Sequence, residues 1–107
     1  RPEFGKHAGS VCSGIELHIT DRRLLEPLAL GVRILKTIRD LHPEDFQWRP
    51  EPYEFVGDVP AIDLLTGSED ARLAIEGQGS LDTTLEKWSA SAGEFAEGLG
   101  GVLLYHP

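Results

Sequence analysis

Apolar and polar side chains alternate along residues 15–20, which read Ile-Glu-Leu-His-Ile-Thr. Successive side chains of an extended chain point to opposite faces, so Ile15, Leu17 and Ile19 share one face and the three polar residues share the other. This alternation predicts a half-buried β-strand whose apolar face packs on the core.

A helical period replaces the alternation after the polar corner at residues 21–23. Pro27 suits the first turn of a helix, where its missing N–H leaves no hydrogen bond unmade. Apolar residues then recur at three- and four-residue steps, which predicts an amphipathic helix ending before Pro43. The residues of this apolar stripe are Leu28, Val32, Leu35, Ile38 and Leu41.

Shorter extended elements are predicted in the middle of the chain. Residues 45–49 alternate again, which predicts a second strand with Phe46 and Trp48 facing inward. Residues 49–60 hold three of the seven prolines. This composition favours an extended segment or an edge strand, because proline cannot donate to a central ladder.

Two short helices are expected next. Residues 61–65 predict a single helical turn closed by Gly67. Ser68 can cap a second short helix that ends at residues 77–79, Gly-Gln-Gly. The predicted inward residues of that helix are Ala71, Leu73, Ala74 and Ile75.

The most regular helical pattern lies near the C-terminal end. Ser80 is in position to cap a helix whose apolar residues recur at steps of three and four. They are Leu81, Leu85, Trp88, Ala92, Phe95 and Leu99. Residues 102–105 then predict a final buried strand. Together the elements predict an α+β fold, a small sheet of short strands packed against about three helices, in one domain over residues 1–107.

The net charge of the chain makes some classes of binding partner less expected. Ten basic against 18 acidic side chains give a net charge of −8. Nucleic acid is not expected as a partner, because neutralisation of phosphates supplies most of that affinity. No apolar run approaches the roughly 20 residues of a membrane span, so no span is expected.

Cysteine and histidine usage gives no sign of a metal or a cofactor. Cys12 is the only cysteine, so an internal disulfide and a zinc–thiolate cluster are both impossible. The four histidines are scattered without the helical spacing of a metal pair. No signal-peptide pattern opens the chain. The compartment stays open, and a secreted or periplasmic parent protein is compatible with it.

Three polar residues around the first corner are the candidate binding residues. His18 lies near two carboxylates and could be oriented by one as an acid or base, or could be a hydrogen-bonded histidine at a strand end. Arg22 could hold a carboxylate or a sugar hydroxyl with its planar fork of donors. The structural alternative is that Asp21 caps the turn and Arg22 pairs with a neighbouring acid.

Aromatic residues offer a second, weaker possibility. Trp48, Tyr53 and Trp88 could form a platform on which a sugar stacks. Trp88 belongs to the apolar stripe of the last helix and is expected in the core. Tyr53 is the freest of the three.

Several segments resemble, in order, the C-terminal part of the exo-β-N-acetylmuramidase family of peptidoglycan-recycling glycosidases. The resemblance extends over essentially all 107 residues and is most specific at the His-x-Thr-Asp-Arg corner and the Phe-x-Trp pair. The matching segments are residues 2–9 (PEFGKHAG), 12–14 (CSG), 14–22 (GIELHITDR), 46–48 (FQW) and 62–67 (IDLLTG).

This resemblance implies a two-domain parent protein. In such a protein a larger, Rossmann-like upstream domain carries the catalytic glutamate, and the smaller C-terminal domain helps to wall the substrate cleft. Only the second domain matches this chain, so no catalytic residue is assigned to it. The implied partners are the upstream domain and a muropeptide or muramyl sugar, with His18, Asp21 and Arg22 as the expected substrate contacts.

Two functions of other classes stay open at the level of sequence. The first alternative is a non-catalytic carbohydrate- or partner-binding module. The second is a structural domain that stabilises its neighbour through an apolar docking face, which a large exposed apolar patch would support.

Overall fold

A computed structural model describes residues 1–50 and 52–103 of the chain. Helices account for all the regular structure in this part. They are α1 (Pro27–Leu41), α2 (Ala61–Thr66), α3 (Asp70–Ile75) and α4 (Leu81–Gly98), followed by a 3₁₀ turn at Leu99–Gly101. Among the described residues, no helix is long and apolar enough to cross a membrane.

Several helix ends coincide with residue types that favour the first turn or the cap of a helix. Pro27 occupies the first turn of α1. The Ser80 side chain accepts a hydrogen bond from the backbone N–H of Thr83 at 3.3 Å and so caps α4. Gly67, with φ +79°, closes α2 in the left-handed conformation that glycine adopts without strain. Helices were predicted at all four places, although the fold prediction counted about three. For α3 the predicted cap, Ser68, is wrong, because the N-cap residue is Glu69 and its side chain makes no capping hydrogen bond.

The core is centred on α3, which contacts α1, α2 and α4. Its two alanines and Ile75 are almost completely buried, and the small alanine side chains let the neighbouring helices approach closely. The predicted inward face of this helix is therefore confirmed at three of its four positions. The buried core consists of Val32, Ala71, Ala74, Ile75 and Leu81, with Leu35, Trp48, Leu85 and Trp88 packed around it.

The predicted sheet is wrong: residues 1–50 and 52–103 contain no β-strand. Residues 15–20 lack helical structure, as expected, but no other described segment pairs with them. Their apolar row is exposed, with relative exposures of 73% for Ile15, 53% for Leu17 and 49% for Ile19. Alternation predicts an extended conformation, whereas a strand also needs a neighbour to share its hydrogen bonds.

The other predicted strands also differ from the structure. Residues 45–49 form no strand: the predicted segment begins within a turn, where the N–H groups of Asp45 and Phe46 donate to the carbonyl of His42 at 3.2 and 2.9 Å. The nearest approach to β-structure is an isolated bridge between Tyr53 and Val56. Of the predicted final strand, residues 102–103 are exposed and 104–105 lie outside the described residues.

The chain is more expanded than a compact domain. Its radius of gyration is 17.5 Å, against about 13 Å expected for a compact domain of this length. Residues 1–20, which we call the N-terminal arm, contain no helix and are almost entirely exposed. The arm therefore leaves apolar surface that the helical part does not cover.

Candidate functional site

The three candidate residues from the sequence lie in the arm and directly after it. Asp21 accepts hydrogen bonds from Arg23, at 2.9 Å from the backbone N–H, 3.1 Å from Nε and 3.0 Å from Nη2. These hydrogen bonds hold the pKa of the Asp21 carboxyl below its usual value. Asp21 thus closes a local turn, and its arginine partner is Arg23 rather than Arg22.

His18 and Arg22 extend into solvent. The Nε2 atom of His18 lies 3.3 Å from Oε1 of Glu16, and both side chains are highly exposed. Arg22 is exposed and makes no hydrogen bond or ion pair with the described residues. In this chain alone, the three candidates lie on one stretch in which His18 and Arg22 are exposed and Asp21 is half-buried. None of them lines either of the two cavities described below.

A buried ion pair lies elsewhere, between α2 and α3. The Arg72 guanidinium donates to both carboxylate oxygens of Asp63, with distances of 3.0 Å from Nε to each and 2.9 Å from Nη2 to Oδ2. Asp63 is the one charged side chain that is buried among the described residues. The hydrogen bonds to this carboxylate raise the pKa of the Arg72 guanidinium, and the ion pair holds α2 against α3.

Glu76 extends this ion pair into a network. Its carboxylate lies 3.7 Å from Nη1 of Arg72 and accepts a hydrogen bond from Nε1 of Trp48 at 2.8 Å. Its backbone carbonyl accepts from Arg39 of α1 at 3.1 Å. Glu76 therefore connects α1 and the segment after it to α3, and the Asp63–Arg72 pair connects α3 to α2.

The contacts of this network were not predicted from the sequence. Asp63 and Arg72 are nine residues apart on two different helices, so no helical spacing relates them. The available signal was Gly67, which reverses the chain between the two helices. A charged residue on each side of such a turn can meet the other only if the helices fold back on each other.

Beside the network lies a cavity of about 360 Å³ with aromatic walls. Arg49 stands at this cavity with its Cζ atom 5.2 Å from the centre of the Tyr53 ring, a cation–π distance. Trp48 meets Phe46 edge to face, with ring centres 4.9 Å apart. The residues lining the cavity are Trp48, Arg49, Tyr53, Ala61, Ile62 and Leu65.

A second cavity, of about 250 Å³, lies between α1 and α4. Its walls are mainly apolar, and Glu26 is the charged residue among them. Trp88 is half-buried here, so it packs against the core as predicted but is separated from the Trp48–Tyr53 pair. The three aromatic residues proposed as one platform thus lie at two different cavities.

The described residues contain no group of three or more His, Cys, Asp or Glu side chains that could hold a metal ion. Cys12 is a free, exposed thiol on the arm. Aromatic rings, an arginine and apolar side chains are the groups that surround the cavity at Trp48.

The chain is thus a small helical domain with an aromatic-lined cavity and an arm whose apolar row is exposed. Comparison with known proteins identifies the family to which it belongs. The model of the C-terminal region of the exo-β-N-acetylmuramidase NamZ matches residues 1–105, so the chain belongs to this family of peptidoglycan glycoside hydrolases. The resemblance seen in the sequence is confirmed.

One curated relative is the peptidoglycan β-N-acetylmuramidase NamZ of Bacillus subtilis (strain 168). It is 33% identical over 104 residues, which cover 97% of this chain and 23% of the relative. The chain thus spans about a quarter of the length of the relative it matches. No solved structure gives a significant match.

Proposed function

We propose that this chain is the C-terminal part of a glycoside hydrolase that releases N-acetylmuramic acid from the non-reducing end of peptidoglycan fragments. The observation that carries the proposal is the family match over residues 1–105. In the complete enzyme, a carboxylic acid with a raised pKa protonates the glycosidic oxygen, and the transition state resembles an oxocarbenium ion. The catalytic residues belong to the upstream domain, and this chain binds and orients the substrate.

The N-terminal arm is the proposed docking surface for the upstream domain. Its apolar row at Ile15, Leu17 and Ile19 is exposed here, and the relative has roughly three times as much chain outside the matching region as within it. Docking of this row would bring Asp21 and Arg22, which directly follow the arm, to the edge of the contact. A cleft between the two domains would then be walled by His18, Asp21 and Arg22.

The direct test compares this chain with its complete parent protein on a synthetic N-acetylmuramide. We expect turnover by the parent protein and none by residues 1–107 alone, measured as released N-acetylmuramic acid. Turnover by the 107 residues would contradict the assignment of the catalytic groups to the upstream domain. Failure of the intact, folded parent protein to release the sugar would contradict the proposed activity.

Alanine at Arg22 of the parent protein should raise the KM for muramyl substrates. We expect the KM to rise roughly tenfold, which corresponds to the loss of one charge-assisted hydrogen bond to a substrate carboxylate or hydroxyl. Arg33→Ala is the matched control, because Arg33 pairs with Asp82 on the surface of the helical part. An unchanged KM in the Arg22 variant would remove this residue from the cleft.

A non-catalytic carbohydrate-binding module is the second candidate. The aromatic cavity at Trp48 and Tyr53 favours it, since sugar rings commonly stack on aromatic side chains. Binding of sugar by a parent protein that is inactive on every muramyl substrate would support the module over the enzyme.

A further inference from the structure

We propose that the cavity at Trp48, Arg49 and Tyr53 binds the muramyl unit of the substrate, with Arg49 holding the carboxylate of its lactyl group. The inference rests on the proposed function for the identity of the sugar. It assigns a position on this chain that differs from the stretch at residues 18–22.

The size and lining of the cavity fit one sugar unit. Its volume of about 360 Å³ lies near the lower end of the roughly 300–1,000 Å³ range of small-molecule sites. Trp48 and Tyr53 offer aromatic surface to the C–H face of a pyranose ring. The apolar side chains of Ala61, Ile62 and Leu65 offer contacts for the methyl groups of the acetamido and lactyl substituents.

Arg49 supplies the selectivity. Its guanidinium lies over the Tyr53 ring, and no carboxylate among the described residues forms an ion pair with it. The planar guanidinium presents paired donors that match the two oxygens of a carboxylate. N-acetylmuramic acid carries such a carboxylate on its lactyl ether, whereas N-acetylglucosamine has a hydroxyl at the same position.

The buried network holds the walls of this cavity in place. Trp48 is fixed by its hydrogen bond to Glu76 at 2.8 Å. The helix α2, which contributes Ala61, Ile62 and Leu65, is fixed against α3 by the ion pair of Asp63 with Arg72. A site whose walls are already ordered loses less conformational entropy on binding. The cavity between α1 and α4 has no cation among its lining residues, so it lacks this selectivity for an anionic sugar.

The test is a titration of residues 1–107 with N-acetylmuramic acid and, separately, with N-acetylglucosamine. Binding is followed by the chemical shift of the tryptophan indole N–H groups. We expect the muramyl sugar to bind about tenfold more tightly, the order of one charge-assisted hydrogen bond. Arg49→Gln should abolish this difference, and Tyr53→Ala should weaken the binding of both sugars.

Matched controls separate the site from general effects. Phe55→Ala removes an aromatic ring that is fully exposed outside the cavity, and Arg33→Gln removes a guanidinium from the helical surface. Neither control should change the affinity for either sugar. Circular dichroism of each variant checks its helix content. Trp48 is left intact because it also packs against the core.

Equal affinity for the two sugars, or no effect of Arg49→Gln in a folded chain, would overturn the inference. The Arg49→Gln variant of the parent protein distinguishes this failure from failure of the proposed function. An active parent protein with an unchanged KM would contradict the site alone. An inactive parent protein whose cavity still selects the muramyl sugar would contradict the enzyme and leave the site standing.

Discussion

Replacing Asp63 with alanine is expected to lower the free energy of unfolding of this domain by about 3–5 kcal/mol. The substitution leaves the guanidinium of Arg72 largely buried without the carboxylate that accepts three of its hydrogen bonds. This loss is a large part of the roughly 5–15 kcal/mol by which single domains are stable. Urea unfolding followed by circular dichroism measures it, and the melting temperature should fall by about 10 °C or more.

Glu69→Ala is the matched control for this prediction. Glu69 also pairs with Arg72, at 3.3 Å, but its side chain is mostly exposed. Exposed ion pairs contribute up to about 1 kcal/mol, so the control should be much milder. Substituting both Asp63 and Arg72 by apolar residues of similar size should recover much of the loss, because no charge is then left buried. Equal effects of Asp63→Ala and Glu69→Ala would contradict a structural role for the buried pair.

Substitution of Ile15, Leu17 and Ile19 by serine should destabilise the complete parent protein and leave the isolated chain almost unchanged. In this chain the three side chains are exposed, and exposed substitutions usually change stability by less than about 0.5 kcal/mol each. If the upstream domain covers the exposed half to three quarters of each side chain, the substitution loses about 0.7–2 kcal/mol of burial at each position. The summed loss in the parent protein would be about 3–5 kcal/mol. Thermal unfolding of both proteins measures the difference.

The opposite face of the arm provides the control for this substitution. Glu16→Ser and Thr20→Ser change the same segment without touching the apolar row. Their effect on the parent protein should be small. A parent protein that tolerates the apolar substitutions as well as it tolerates these polar ones would show that the arm is not a docking surface.

The helices could be predicted because their signals are local. The capping Ser80 lies directly before the apolar stripe of α4. Gly67 lies directly after the last residue of α2. The depth of burial could not be predicted in the same way. Leu41 and Phe95 belong to regular apolar stripes but are exposed, because the described part of the chain contains no surface that covers them.

The sheet failed as a prediction for the converse reason. The alternation at residues 15–20 describes one strand-like segment, and pairing depends on a partner that sequence periodicity cannot supply. The same limit applied to the binding residues. Trp48 and Tyr53 could be proposed from residue type alone, whereas the place of Arg49 at their cavity depends on how the segment after α1 folds against α2.

The six residues of α3 lie at the centre of the core, and a helix this short is unstable in water by itself. It can persist only while α1, α2 and α4 surround it. If one of these neighbours unfolds, part of the buried surface of α3, against which the other helices also pack, becomes exposed to water. Loss of any one contact should therefore spread to the whole helical unit, whose folding is a single cooperative event rather than the sum of four independent helices.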